Sequence, residues 1–292
     1  MGNQTIGYKV FTIINNTVMF LLVLTMLYPF VYVVFASFSD SNALMGHVGF
    51  LFKPIEPTLA AYKMVFDNPM ILSGYTNTMI VLVIGLSVNM VMTILAAYVL
   101  SRKNFALRNV LMFFIVITMF FNGGLIPTYL TVEELGMGDS LWALIIPTAM
   151  SAYNMIIMRT SFAAIPDSLI ESATLDGASN LRVLLNIVLP LSKAVMAVIV
   201  LYYAVGIWNS WFNAMIYLRD RMKFPLQLIL REILLENNSN DMNIAADTGD
   251  AAVVRETMQY ALIVVATVPI LCIYPFVQKF FVKGVMIGAV KG

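Results

Sequence analysis

Asn68–Ser101 reads NPMILSGYTNTMIVLVIGLSVNMVMTILAAYVLS, 34 residues with no Asp, Glu, Lys or Arg. A helix needs about 20 mostly apolar residues to cross the hydrocarbon core of a bilayer. This stretch exceeds that length, which leaves room for tilt or interfacial residues. Five further charge-free stretches flank it: Val10–Ser39, Asn109–Val132, Ser140–Met158, Ala194–Leu218 and Thr257–Gln278. Together they predict an all-α integral membrane protein, a single transmembrane domain over 1–292 with about six spans at 10–38, 71–100, 109–131, 140–158, 194–218 and 257–278. The first is too long for a signal peptide and lacks a small-residue cleavage site, so it reads as an uncleaved helix.

Composition agrees. Of 292 residues, 60% are hydrophobic and 11% charged, against about 45–50% and about 25% in soluble domains. There are too few polar residues to clothe a soluble core of this size, so membrane lipid is the expected solvent. The net charge of +1 gives no footing for nucleic acid. Cys272 is alone and excludes an intrachain disulfide. His47 has no Cys or carboxylate at metal-ligand spacing, so no metal site is expected.

Loop charge sets the orientation. Arg102, Lys103 and Arg108 follow the second span, and Lys279, Lys283 and Lys291 follow the sixth; Glu133, Glu134 and Asp139 follow the third. Placing both termini, the 102–108 loop and the 159–193 loop in the cytoplasm puts 10 Lys/Arg and 3 acids there. The other side then holds 7 Lys/Arg and 13 acids. This is the positive-inside pattern. Two outer loops are long. The 40–68 loop carries Pro54 and Pro57 and reads as structured or extended. The 219–256 loop carries the polar run Asn237–Asp241, read as a turn or mobile tip.

Absences narrow the function. The spans carry no ionisable Asp, Glu, Lys or Arg of the kind a proton relay or voltage sensor needs. No GxxxxGK[ST] phosphate loop occurs, so the chain is not itself a P-loop ATPase. It is not expected to be an enzyme, and no catalytic residue is assigned. The fifth span carries Tyr202, Trp208, Asn209, Trp211 and Asn213, and Asn122 and Asn154 lie in or near the third and fourth. Tyr202, Asn209 and Asn213 at i, i+7 and i+11 fall on one face of an unbroken helix. Amides bond hydroxyls and aromatic rings cover the apolar face of a sugar, so Asn122, Tyr202, Trp208, Asn209, Trp211 and Asn213 are candidates for a substrate passage. They serve equally as helix-packing groups and an interfacial aromatic belt.

Ile165–Lys193 reads IPDSLIESATLDGASNLRVLLNIVLPLSK. Pro166 suits the first position of a helix, with Asp167 and Glu171 near its positive end. Asp176-Gly177 suits its termination, and Ser179 suits the cap of a second helix. That second helix is expected to bury Leu181, Leu184, Leu185 and Val188 and to end at Leu189-Pro190. Such a helix–Gly–helix loop fits either a groove on another protein or the membrane interface.

The run Glu171-Ser172-Ala173, Asp176-Gly177-Ala178 and Ile187-Val188-Leu189-Pro190 resembles the "EAA…G…IxLP" loop of ABC importer permeases, with Ser172 where Ala is usual. Phe121–Tyr129, Trp208–Asn213, Pro225–Arg231 and Val282–Gly292 extend the likeness over most of the chain. They resemble the maltose-type carbohydrate branch, nearest the subfamily for complex oligosaccharides, uronate-containing ones included. The resemblance implies a type I importer fold in a bacterial plasma membrane. It makes 159–193 the coupling loop, in which Glu171, Ser172, Ala173, Asp176, Gly177, Ala178, Leu189 and Pro190 engage the ATPase. It implies a second homologous permease, two cytoplasmic ATPase subunits holding the ATP and Mg that this chain lacks, and an extracytoplasmic binding protein facing 219–256. The substrate would be an oligosaccharide. A secondary transporter or channel for a small polar solute is the alternative, expected to show inverted halves with broken helices or intramembrane charge.

Overall fold

The computed structural model describes residues 6–240, 257–273 and 275. Its helices, in chain order, are α1 Ile6–Ser37, α2 Ser41–Met45, α3 Ala60–Asp67, α4 Pro69–Ser101, α5 Arg108–Phe120, α6 Leu125–Glu134, α7 Trp142–Ile145 and α8 Ala152–Ala163. There follow α9 Asp167–Leu175, α10 Asn180–Val183, α11 Leu189–Leu191, α12 Lys193–Trp208, α13 Phe212–Tyr217, α14 Leu226–Asn240 and α15 Thr257–Ile273. The described residues form no strand. By contacts the described residues divide into one unit of 6–69 with 232–240 and 257–269, and another of 70–231 with 270–273 and 275.

In the first unit, α1 is about 48 Å long at 1.5 Å per residue, and no residue of its most apolar stretch is buried. A helix this apolar with so little protein cover is one that lipid or a partner must solvate. The expected 40–68 loop folds back on its C-terminal end. The Asp40 carboxylate caps α2 through the Asn42 and Ala43 N–H groups at 3.0 and 3.1 Å. Leu51 is buried with Ala36 and Leu44, and its N–H donates to the Tyr28 hydroxyl at 3.2 Å. The hydroxyls of Ser41 and Thr257 bond to each other.

In the second unit, α4 runs about 50 Å and buries one stripe: Thr78, Val81, Gly85, Asn89, Thr93 and Ala97. Ala97 and Leu100 join Met155, Met158 and Phe162 of α8, Val183, Leu184 and Val188 of the 180–191 segment, and Ile199 and Tyr203 of α12 in one apolar core. Gly74 admits the chain at Leu226. A Cβ there would lie 3.2 Å from the Leu226 Cα and 2.5 Å from the Ile229 Cδ1.

Several expected boundaries change. The third stretch is not one straight rod. It breaks at Phe121–Gly124, and α5 and α6 meet at 114°, because Gly124 takes φ +92, a conformation costly to any residue with a Cβ. The fourth holds only the short α7 before α8, which continues past Met158 to Ala163. The fifth stops at Trp208 and restarts at Phe212. The 219–256 segment is no simple loop: α14 occupies its first half and carries its helical backbone through Asn240, where a turn was expected. The rest of that segment and the end of the sixth stretch lie outside the described residues.

Candidate functional site

The 165–193 segment is built by local rules. Pro166 stands one place before α9 as its cap, with ψ 130, rather than inside it. The Asp176 N–H bonds the Ser172 carbonyl, Gly177 bonds Thr174 and Ala178 bonds Ala173. With Gly177 at φ +80, this is the Schellman closure, in which a left-handed residue turns the chain and satisfies the last carbonyls. Ala173 and Ala178 therefore meet across the turn, and both pack on the core with Ile170. Glu171 and Asp176 are exposed, and the Ser172 hydroxyl, also at the surface, bonds back to Ser168 at 2.8 Å.

Ser179 caps α10 by accepting the Arg182 N–H at 3.4 Å. A π-turn over Leu184–Val188 then shifts the helical register. The buried face becomes Val183, Leu184 and Val188, while Leu181 and Leu185 are exposed, unlike the even 3–4 spacing expected. Nor does Leu189-Pro190 end the helix. Pro190 lacks an N–H and would crowd the carbonyl four residues earlier; the wider π-turn just before it relieves that contact. The break falls at Ser192, where the 180–191 segment meets α12 at 85°.

Side chains at the end of α4 and just beyond it hold both α8 and this segment. Lys103 pairs with Asp167 at 2.6 Å, which holds the Asp167 carboxyl below its ordinary range by that hydrogen bond and charge. Arg102 donates to the Phe162 carbonyl at 3.2 Å and lies over the Tyr98 ring at 5.0 Å. Arg159 donates to the Leu100 carbonyl at 3.0 Å, and Tyr98 donates to the Asn180 carbonyl at 3.1 Å. A groove of about 840 Å³ runs beside Glu171, lined also by Tyr98, Arg102, Phe105 and Asn180.

Along α4 toward its other end lies a cavity of about 480 Å³ lined by Thr78, Asn89, Ser151, Asn154, Tyr202 and Tyr203, among others. The Tyr203 hydroxyl joins the Thr93 hydroxyl at 2.7 Å and accepts the Ser151 N–H at 3.0 Å. Beyond it, Asp139 accepts the N–H groups of Arg219 and Asp220 at 3.0 and 3.1 Å, and Arg219 pairs with Glu133 at 3.3 Å. The rings of Tyr129 and Tyr217 stack at 6.0 Å. Arg231 sits 3.4 Å above the Trp211 ring centroid.

This arrangement has close parallels. Residues 89–287 match the family described as binding-protein-dependent transport system inner membrane component. The polygalacturonan/rhamnogalacturonan transport system permease protein YtcP of Bacillus subtilis is 42% identical over 264 residues, covering 90% of this chain and 92% of that one. Protein LplC of the same organism is 43% identical over 265 residues, 90% and 89% of the two chains. A crystal structure of a bacterial ABC transporter involved in importing the acidic polysaccharide alginate superposes with a TM-score of 0.88 at 31% identity. The alignment covers 96% of this chain and all of that one. The chain belongs to this permease family.

The permease does not assemble the expected passage residues on one face. Asn209 terminates α12, and its amide donates back to the Val205 carbonyl at 2.9 Å. The break at 209–211 puts Asn213 on another helix. Asn122 is a turn residue: its Oδ1 accepts the Gly124 N–H at 3.0 Å in the bend between α5 and α6. Trp208 is buried with its Nε1 unpartnered, while its ring meets Tyr75. Trp211 lies under Arg231. Of the six, only Tyr202 lines the cavity. The residues missed are on α4. Thr78, Gly85, Asn89 and Thr93 follow one another by 7, 4 and 4 residues, a polar and small stripe on one helix face that was legible in the opening stretch.

Proposed function

We propose that this permease is half of the membrane path of an ATP-driven, binding-protein-dependent importer of oligosaccharides, and that it turns ATPase motion into alternating access. One observation carries the coupling role. The segment α9–Gly177–α10 is an exposed helix and tight turn, held to the end of the long helix α4 through Lys103 and Tyr98, while Arg102 and Arg159 hold the neighbouring α8 to the same end. A force applied to α9 therefore reaches α4 directly, and through the 85° elbow at Ser192 it reaches α12. Glu171, Ser172, Asp176 and Gly177 present the surface that docks on an ATPase, while Ala173, Ala178, Leu189 and Pro190 shape it.

The loop charges support a cytoplasmic α9 with both termini on the same side in the bacterial plasma membrane, and six spans across it. The partners are a second homologous permease, two ATPase subunits that hold the ATP and Mg, and an extracytoplasmic binding protein meeting the 219–256 region. Relatives named for pectic polysaccharides and alginate favour a complex, uronate-containing oligosaccharide as substrate. The test is gentle solubilisation from the native membrane with mass spectrometry of what co-purifies, followed by reconstitution and uptake. A P-loop ATPase and a second permease in the same particle are the expected result. A chain recovered alone, or only with itself, sinks the importer reading.

A further inference from the structure

The loop after α2 turns apolar side chains outward. Val48 is 95% exposed and Phe50 and Phe52 are each 71% exposed, while Leu51 between the two rings is buried. Leu51 holds the tip in place: it packs with Ala36 and Leu44, and its N–H donates to the Tyr28 hydroxyl at 3.2 Å. The rings of Phe50 and Phe52 lie 5.2 and 6.0 Å from that of Tyr28 and 6.0 Å from each other. The tip is an aromatic knuckle pinned to the side of α1.

Its height along α1 says what meets it. Tyr28 precedes the end of the helix at Ser37 by nine residues, about 14 Å, so the chain doubles back down the helix. In the other direction Lys9, the one charged residue of α1, is nineteen residues from Tyr28, about 28 Å. That is close to the thickness of the hydrocarbon core, about 30 Å. The tyrosines of α1 are Tyr8 beside Lys9, and Tyr28 and Tyr32. They stand at the two boundaries that this spacing defines and nowhere between, as an aromatic belt does.

Residues 47–53 form no helix or strand. Backbone groups without regular pairing need water or headgroups, which suits a boundary and excludes the hydrocarbon core. His47 and Lys53 flank the tip, and no acid lies from Gly46 to Lys53, so its charge complements lipid phosphate. Lys lays its methylenes along apolar surface and lifts its ammonium to the headgroups. The surface of α1 nearby is apolar and open too, at Phe30 and Val34.

Resting on the membrane path proposed above, we propose that residues 46–53 are a lipid anchor. Val48, Phe50 and Phe52 enter the headgroup–acyl boundary of the leaflet at the C-terminal end of α1, and Lys53 meets its phosphates. Leu51 and the bond to Tyr28 pass that hold to α1 and fix its height in the membrane.

The experiment places p-benzoylphenylalanine singly at Val48, at Phe52 or at Leu21 of the full chain and irradiates it in its native membrane. Mass spectrometry then identifies what each position captures. Leu21 lies in mid-helix and is exposed, so it reports on α1 as a span whatever covers the loop. Positions 48 and 52 should capture about as much phospholipid as Leu21, with the adduct on the glycerol or the first acyl carbons. A protein adduct in place of lipid overturns the proposal in favour of a docking partner. No adduct at 48 or 52, with lipid captured at Leu21, means that the tip stands in water and also overturns it. Adducts confined to the ends of the acyl chains overturn the boundary depth. No lipid at Leu21 overturns α1 as a span, and the anchor with it.

Discussion

Lys223 Nζ donates to both kinds of oxygen on Asp139, 2.7 Å to the carboxylate Oδ2 and 2.8 Å to the backbone carbonyl. With the N–H groups of Arg219 and Asp220 on the other carboxylate oxygen, one side chain ties the loop at 139 to the loop at 219–223. Three bases of this region have partners inside the chain: Arg219, Lys223 and Arg231.

The Asp139 knot predicts an acid-sensitive junction. The Lys223 hydrogen bond, then the two backbone N–H groups, hold the Asp139 carboxyl far below its ordinary value of 3.8. A depressed carboxyl stabilises the folded state fully above that ordinary value and loses its effect as pH falls toward the folded value. Asp139→Asn keeps the shape, including the positive φ of 51 that Asn tolerates, but cannot titrate. The unfolding midpoint of the wild type should exceed that of the variant by a constant amount above pH about 5. The gap should close below pH about 4; a gap independent of pH refutes the assignment.

Gly177→Pro should uncouple ATP hydrolysis from uptake without preventing membrane insertion. The site has open space around it, so the obstacle is the backbone: Pro is fixed near φ −65° and cannot take +80. The ratio of sugar imported to ATP hydrolysed by the reconstituted complex measures this. A normal ratio in the variant counts against the Schellman turn as the coupling element.

Gly74→Ala should destabilise the second unit by about 1–3 kcal/mol through overpacking. Adding Ile229→Val removes the Cδ1 that the new methyl group strikes, yet leaves the Leu226 backbone 3.2 Å away. The double variant should recover part of the loss and not all of it. Unfolding in graded denaturing detergent tests this, and full recovery would show that the backbone approach is not tight.

Arg102→Ala should cost more stability than Lys103→Ala. Arg102 donates to the carbonyl of fully buried Phe162 and to the Ser101 hydroxyl while covering the Tyr98 ring, a loss of about 1–3 kcal/mol. The Lys103–Asp167 pair is open to solvent, 73% and 53% exposed, and exposed pairs contribute little. Comparison of the two unfolding midpoints decides the order. Equal effects would mean that the exposed ion pair holds as firmly as the bond to the buried carbonyl.

The sequence made the membrane class legible because lipid demands long charge-free runs, and nothing else in Asn68–Ser101 explains 34 uncharged residues. The Gly177 turn was equally legible, since left-handed backbone leaves few residue choices. The bends were not. Hydropathy integrates over about 20 residues and does not register whether a stretch is one rod or two; only Asn122-Gly123-Gly124 hinted at the 114° break. The register of the 180–191 segment was missed because a π-turn adds a residue that regular 3–4 spacing does not allow for. The passage face failed for the same reason: Tyr202, Asn209 and Asn213 align only if the helix continues through 209–211, and it does not. Asn89 was overlooked because a lone amide on an apolar helix is inconspicuous until its Oδ1 is seen to be buried without a partner.

The elbow at Ser192 makes Asn180–Trp208 a bell-crank. Its first arm, residues 180–191, is about 18 Å long, and its second, α12, about 24 Å, set nearly at right angles. In a crank of these proportions, a push of about 3 Å on the free end of the short arm becomes a sweep of about 4 Å at the far end of the long one, turned through a quarter circle. A push at right angles to the first arm would thereby emerge as sideways travel at the far end of the second, beside the break at Asn209, with no helix needing to lengthen, melt or slide along its own axis.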